Sequence, residues 1–198
     1  MPKVGMQPIR RKQLINATIQ CIYREGLLGT TVKKVSQEAG VSSGIINHYF
    51  GGKDQMLEAT MREVMYRHQQ AGILRLHDCR THEDRIRMII EINFSPLQTD
   101  PATVCTWLAF WAQAMHVPAL ARLQKVNTKR LYSNLLYSLK HLLRPEQAVF
   151  MAEGLAALID GLWLRGAFAE DGIDSEHAFQ VVWSFYQSQL MASKAKTS

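Results

Sequence analysis

The stretch Thr31-Val-Lys-Lys-Val-Ser-Gln-Glu-Ala-Gly40-Val-Ser-Ser-Gly-Ile-Ile-Asn-His-Tyr-Phe50 holds two short amphipathic segments joined by a glycine. Apolar residues at helical spacing define the inner face of the first segment: Val32, Val35 and Ala39. Thr30 is placed to cap the first segment, Gly40 allows a sharp turn, and Ser42 can cap the second segment. The pattern predicts a helix-turn-helix, a motif whose second helix enters the major groove of DNA.

The outer side of the second segment carries side chains suited to DNA. Hydroxyl and amide groups can bond to base edges, the side chain of Ile45 can touch a thymine methyl, and Gly44 permits close approach of the backbone. The neighbouring lysines lie where phosphates are expected. We predict this set of DNA-binding residues: Thr31, Lys33, Lys34, Ser42, Ser43, Gly44, Ile45, Asn47, His48, Tyr49 and Lys53.

The positive charge of the chain is concentrated around the same stretch. The 198 residues carry a formal net charge of +6, and residues 1–54 alone carry eight cations and three anions, a net of +5. Such asymmetry favours a polyanionic partner, either nucleic acid or an anionic membrane surface, and a solvated basic face is the alternative. The helix-turn-helix pattern favours double-stranded DNA and no membrane partner.

The rest of the chain predicts an all-α fold of about nine helices. No proline interrupts residues 9–95, and Pro101, Pro118 and Pro145 each stand where a helix can begin. Thr81-His-Glu-Asp84 has the spacing of a capping box. No alternating apolar and polar run and no hairpin turn predicts a strand.

An enzyme is not expected. Gly40-Val-Ser-Ser-Gly44 matches the Gly-x-Ser-x-Gly elbow of α/β-hydrolases, but that motif needs a preceding strand, and the residues before Gly40 favour a helix. We find no metal-ligand spacing and no phosphate-binding glycine loop, so we expect neither a catalytic residue nor a metal or cofactor. Three scattered cysteines and the lack of a signal-like apolar segment predict a cytoplasmic protein.

In the order of its residues, the stretch from Thr31 to Phe50, followed by Lys53, resembles the DNA-binding signature of the TetR family of transcriptional regulators. The resemblance implies a homodimer with a three-helix DNA-binding head, predicted at residues 8–68, and an effector-binding and dimerisation domain at residues 69–198. Many relatives have tyrosine where this chain has Asn47, so the operator sequence does not follow from them.

Three further stretches resemble the choline-responsive repressors of glycine betaine synthesis genes within that family. They are residues 1–11, 107–116 and 154–165. A quaternary ammonium cannot donate hydrogen bonds, and proteins bind it with aromatic faces and a carboxylate. The predicted effector residues are Glu91, Phe94, Trp107, Phe110, Trp111, Asp160 and Trp163. The alternative is that these aromatic rings are ordinary core.

The segment around residues 154–165 is apolar on almost every side, which favours burial on every side. Together with the last helix it is predicted to form a homodimer interface, so that two recognition helices would bind a palindromic operator. A central helix in a monomer is the alternative. Other functions left open are a TetR-type repressor that responds to another cationic or hydrophobic molecule, and an all-α carrier or hydrolase.

Overall fold

The computed structural model describes the backbone of residues 6–195 and the side chains of residues 7–193. Over this part of the chain every regular element is a helix, as predicted. The elements are α1 (Met6–Gly29), α2 (Val32–Glu38), α3 (Ser43–Phe50), α4 (Lys53–Leu76), α5 (His82–Asn93), α6 (Pro96–Thr99), α7 (Pro101–Ala114), α8 (Pro118–Leu139), α9 (Pro145–Ala167) and α10 (Ser175–Ala195). The four-residue α6 is the helix that the sequence pattern did not predict.

The chain divides into two compact units. We call Met1–Arg67 with Asp100–Gln124 the head unit, and His68–Thr99 with Lys125–Ser198 the body unit. The predicted division into residues 8–68 and residues 69–198 stays a prediction, and it does not include the return of residues 100–124 to the head unit. The long helices α4 and α8 each contribute residues to both units.

In the head unit α1 packs on α2 and α7, and α2 packs on α3. The core of the unit includes fully buried residues from four helices: Leu14, Val35, Ile46 and Met56. Helix α1 is kinked at Gly26, whose φ of 67° lies in the left-handed region that glycine adopts without a Cβ clash. The predicted helix end at Gly26 is therefore a break near the end of α1.

In the body unit α10 packs against α5 and α9. Residues with no or almost no exposed surface form the core, among them Ile86, Ile90, Leu155, Ile159, Val182 and Tyr186. Gly154 of α9 allows close packing, because a Cβ built at Gly154 would lie 3.6 Å from the ring of Phe185 on α10. Small residues on α9 thus bring the two last helices together.

The helix starts were predicted with one shift. Thr81 and Asp84 form the capping box before α5, and α7, α8 and α9 begin at prolines. The cap of α2 is Thr31, whose Oγ1 accepts a bond from the backbone N–H of Lys34, and not Thr30, whose hydroxyl donates to the carbonyl of Gly26. Ser42 is the N-cap residue of α3, but its side chain makes no capping hydrogen bond.

Helix α9 is long and apolar enough to cross a membrane by length and composition alone, with a mean hydropathy of 1.3 over its best window. A core helix of a globular protein passes the same test. One face of α9 is buried in the body unit through Ala148, Met151, Ala152, Leu155, Ile159 and Trp163. That pattern is typical of a helix in a folded helical domain.

Candidate DNA-binding and effector sites

Helices α2 and α3 form the predicted helix-turn-helix in the head unit. Gly40 has a φ of 64°, which lets the chain reverse, and the N–H of Val41 bonds to the carbonyl of Ser36 at 2.9 Å. Val35 and Ile46 have no exposed surface and hold the two helices together. The residues before Gly40 are helical, so the strand that a hydrolase elbow requires is not there.

The outer face of α3 is exposed, as its predicted role requires. Ser42, Ser43, Gly44, Asn47 and His48 are exposed, whereas Ile45 and Tyr49 are half-buried. Of the remaining predicted DNA-binding residues, Thr31, Lys33 and Lys34 are exposed and Lys53 is half-buried. The structure therefore places the predicted residues of α3 on one solvent-exposed side of that helix, although their contact with DNA stays a prediction.

Several cations around this face have partners within the head unit. Lys34 Nζ lies 2.5 Å from Glu25 Oε2, Arg24 pairs with Glu38, and Lys53 Nζ donates to the carbonyl of Leu27 at 3.4 Å. The Lys34 ammonium also holds the pKa of Glu25 below its ordinary value. These contacts join the C-terminal end of α1 to α2 and to the N-terminal end of α4.

Arg11 is a residue of this site that the sequence reasoning missed. Its guanidinium lies 4.8 Å from the centre of the Phe50 ring and donates to the carbonyl of Tyr49 at 3.3 Å. A cation at the C-terminal end of a helix is favoured by the helix dipole, so Arg11 braces the end of α3. A separation of 38 residues along the chain hides this contact from local patterns.

The predicted effector residues of the head unit are three aromatic residues of α7, of which Trp111 is half-buried. Trp107 and Phe110 are buried, their ring centres lie 5.8 Å apart, and the centres of Trp107 and Trp111 lie 6.1 Å apart. Trp111 Nε1 donates to Gln124 Oε1 at 3.1 Å. Phe110 also lines a cavity of about 20 Å³, which is close to the space of one water molecule.

The predicted effector residues of the body unit have different surroundings. Phe94 and Trp163 are buried. The Glu91 carboxylate pairs with Arg75 and lies 2.9 Å from Arg87 Nε, and these arginines hold its pKa below the ordinary value despite the opposing effect of burial. Asp160 is the member of the set that lines a cavity large enough for a small molecule.

That cavity has a volume of about 330 Å³ and lies between α4, α5, α8 and α9 within the body unit. The value is within the range of small-molecule pockets, which is roughly 300–1,000 Å³. Charged and amide side chains line much of it: Arg85, Asn93, Asn127, Arg130, Asn134 and Asp160. None of its described lining residues is Phe, Tyr or Trp, so an aromatic cage does not line it.

Two titratable groups of the cavity have shifted pKa values. Burial among neighbouring protein atoms raises the pKa of the Asp160 carboxyl, although Asp160 is an exposed residue and lines a half-open cavity. Burial, together with the Arg130 guanidinium, lowers the pKa of His68 to about 4. At neutral pH the His68 ring is therefore uncharged, and its buried Nδ1 has no hydrogen-bond partner among the described residues.

The chain matches known families over both parts. Residues 14–60 match the model of bacterial regulatory proteins of the tetR family, and residues 82–190 match the C-terminal model of the BetI-type transcriptional repressor. The HTH-type transcriptional regulator BetI of Vibrio vulnificus is 50% identical over 192 residues, which cover 96% of this chain and 97% of that protein. BetI 1 of Chromohalobacter salexigens is 47% identical over 194 residues, which cover 98% and 96%.

Solved structures share the fold. A transcriptional regulator from Pseudomonas aeruginosa PAO1 has a TM-score of 0.81 and 27% identity, over 96% of this chain and 94% of that chain. A regulator from Saccharomonospora viridis, solved in complex with choline, has a TM-score of 0.79 and 20% identity, over 91% and 96%.

Proposed function

The chain belongs to the TetR family and is a BetI-type DNA-binding transcriptional repressor, not an enzyme, and from this premise we propose that it represses choline-to-glycine-betaine genes and is released by choline. In this proposal it works in the cytoplasm as a homodimer on a palindromic operator. The observation that carries the DNA-binding part is the exposed polar face of α3, held on a buried helix-turn-helix core.

Support for the effector comes from the relatives and from the cavity. The full-length relatives are BetI regulators, and a regulator of the same fold was solved with choline bound. Asp160 offers a carboxylate to a cation in the 330 Å³ cavity, with no ion pair to any described residue. Effector contacts by Trp107, Phe110, Trp111, Phe94, Trp163 and Glu91 stay predictions, and none of these residues is among the described lining residues of the cavity.

Support for the dimer comes from the uncovered faces of the last two helices. On α9, Val149, Phe150 and Leu164 are exposed although they are apolar, and on α10 Met191 is 70% exposed. Within a single chain α9 is buried on one face, whereas the sequence predicted burial on every side. A second copy would cover the remaining apolar surface and would place two α3 helices on one DNA.

A gel shift with the DNA upstream of the chain's own gene tests the proposal. We expect a complex at low salt, a protected palindrome in a footprint, and loss of the complex on titration with choline. The matched control is 3,3-dimethylbutanol, which has the shape of choline without its charge and should leave the complex intact. A complex that persists in millimolar choline, together with no heat in calorimetry, would refute the choline response while leaving DNA binding established.

A further inference from the structure

We infer that the body-unit cavity binds a small zwitterion, with the carboxylate of the ligand toward Arg85 and Arg130 and its ammonium toward Asp160. The inference rests on the proposed effector site and extends it from a plain cation to a molecule that carries both charges. Its basis is the presence of two arginines and one aspartate, all without an ion pair, among the described residues that line one cavity.

The positive part of the cavity is available to a carboxylate. Neither Arg85 nor Arg130 forms an ion pair with a described acidic residue, and the buried Nε of Arg85 has no hydrogen-bond partner among them. The Arg85 guanidinium lies 4.7 Å from the centre of the Tyr137 ring, which holds the group in place. A guanidinium group has five N–H donors, and those of Arg85 and Arg130 that reach the cavity can form charge-assisted hydrogen bonds to a bound carboxylate.

The negative part of the cavity is equally unmatched. No hydrogen bond or ion pair within the described chain engages the Asp160 carboxylate, and its contact with the cavity places it in partly desolvated surroundings. His68 is uncharged at neutral pH, so the ionised groups that face the cavity are Arg85, Arg130 and Asp160. Arginines and an aspartate that line the same cavity without pairing leave both charges for a ligand.

A ligand with a single charge would match either the arginines or Asp160 of the cavity, but not both. A quaternary ammonium alone would leave two guanidinium groups without an anion, and no Phe, Tyr or Trp ring is among the described lining residues. A ligand that carries only a carboxylate would leave the Asp160 carboxylate without a cation. A zwitterion fits both parts, and Asn93, Asn127 and Asn134 can bond to further polar atoms.

Three probes of nearly the same shape separate these cases in calorimetry with the full chain and no DNA. They are glycine betaine, which carries both charges, choline, which carries the cation, and 3,3-dimethylbutyrate, which carries the anion. We expect glycine betaine to bind at least about tenfold more tightly than either of the others, since it forms one more charge-assisted interaction with the cavity.

Variants of Arg130 and Asp160 test which charged group of the ligand each residue contacts. Arg130→Gln should weaken glycine betaine about tenfold and leave choline within about twofold, whereas Asp160→Asn should weaken both. Arg130→Lys keeps the charge and should recover part of the loss. Lys129→Gln, an exposed neighbour on α8, is the matched control and should change neither. A circular dichroism melt of each variant verifies folding.

The inference is overturned if choline binds more tightly than glycine betaine, or if Arg130→Gln and Arg85→Gln both leave glycine betaine binding unchanged. Because the readout is binding without DNA, its result is distinct from that of the gel shift. Glycine betaine binding without release of DNA by choline would refute the choline response and support the zwitterion site. Release of DNA by choline, with no binding of glycine betaine, would do the reverse.

Discussion

At the scale of single residues, Asn47 and Lys53 should differ in what they contribute to DNA binding. Asn47 is exposed on α3 and can bond to a base edge, whereas Lys53 stands at the start of α4. We expect Asn47→Ala to change the preferred operator at one position by about 1–3 kcal/mol. We expect Lys53→Ala to weaken binding to all sequences alike, and a competition assay with randomised operators measures both.

The Lys53 ammonium also donates to the carbonyl of Leu27, so loss of the side chain removes a structural contact as well. Lys33→Ala is the control for a phosphate contact alone, since Lys33 is exposed. The assignment of faces is wrong if Asn47→Ala weakens all operators equally and Lys53→Ala changes the preferred sequence.

His68 should make the folded protein sensitive to acid. The unfolded chain protonates an imidazole near pH 6.5, whereas burial lowers the pKa of His68 in the folded chain to about 4. The unfolded state therefore binds more protons between these values, and stability falls as the pH falls through that window, by as much as about 3 kcal/mol. Urea denaturation between about pH 7 and pH 4 measures the slope.

His68→Gln should flatten this slope, because glutamine does not titrate. His77→Gln is the control, since His77 is exposed just beyond α4. Equal slopes for the parent chain and His68→Gln would contradict the assignment.

At the scale of the element, the start of α5 depends on two reciprocal bonds. Thr81 Oγ1 accepts from the N–H of Asp84 at 3.0 Å, and the Asp84 carboxylate accepts from the N–H of Thr81 at 2.9 Å. The same bonds hold the pKa of Asp84 below its ordinary value. We expect Thr81→Ala to cost about 1 kcal/mol of unfolding free energy.

A double-mutant cycle with Asp84→Ala tests that the two bonds act together. The combined loss should be smaller than the sum of the two single losses, because either change alone breaks the box. Glu83→Ala removes a carboxylate from the same turn that has no capping bond, and it should cost less. Simple additivity of Thr81→Ala and Asp84→Ala would argue against a cooperative cap.

At the scale of the whole molecule, the exposed apolar face of α9 should be covered by a second copy. Phe150 is 70% exposed, and Phe150→Glu would place a charge in the proposed interface. We expect this variant to be monomeric in light scattering and to lose at least about tenfold in operator affinity. Leu74→Glu, at a 74% exposed position on α4, is the control and should remain dimeric.

The sequence predicted what local chemistry determines. Prolines at the starts of α7, α8 and α9, and the capping box of α5, depend on residues within one turn, and each was found at its predicted place. The exposed face of α3 followed from helical periodicity in the same way.

These local sequence patterns could not predict tertiary contacts. Arg11 reaches Tyr49 across 38 residues, and Glu91 is neutralised by Arg75 on another helix, which no spacing rule indicates. The cavity gathers residues from His68 to Asp160, and Arg85 and Arg130 had no local feature that distinguished them from other surface arginines. The predicted aromatic residues were ambiguous in the sequence, because cores and ligand cages use the same residue types.

The ion pairs within the head unit limit how many counterions DNA binding can release. Eight cations lie in residues 1–54, and Arg24 and Lys34 already face carboxylates, which leaves six of them for phosphates in each chain. Each phosphate contact contributes about −0.9 to the slope of log K against log salt, so these residues contribute at most about −5.4 per chain rather than about −7. A steeper measured slope would mean that an ion pair opens on the operator or that cations outside residues 1–54 also contact phosphates. The entropy gained from displaced ions is thus smaller than the charge of the chain implies, and a larger share of operator affinity must come from direct contacts with α3.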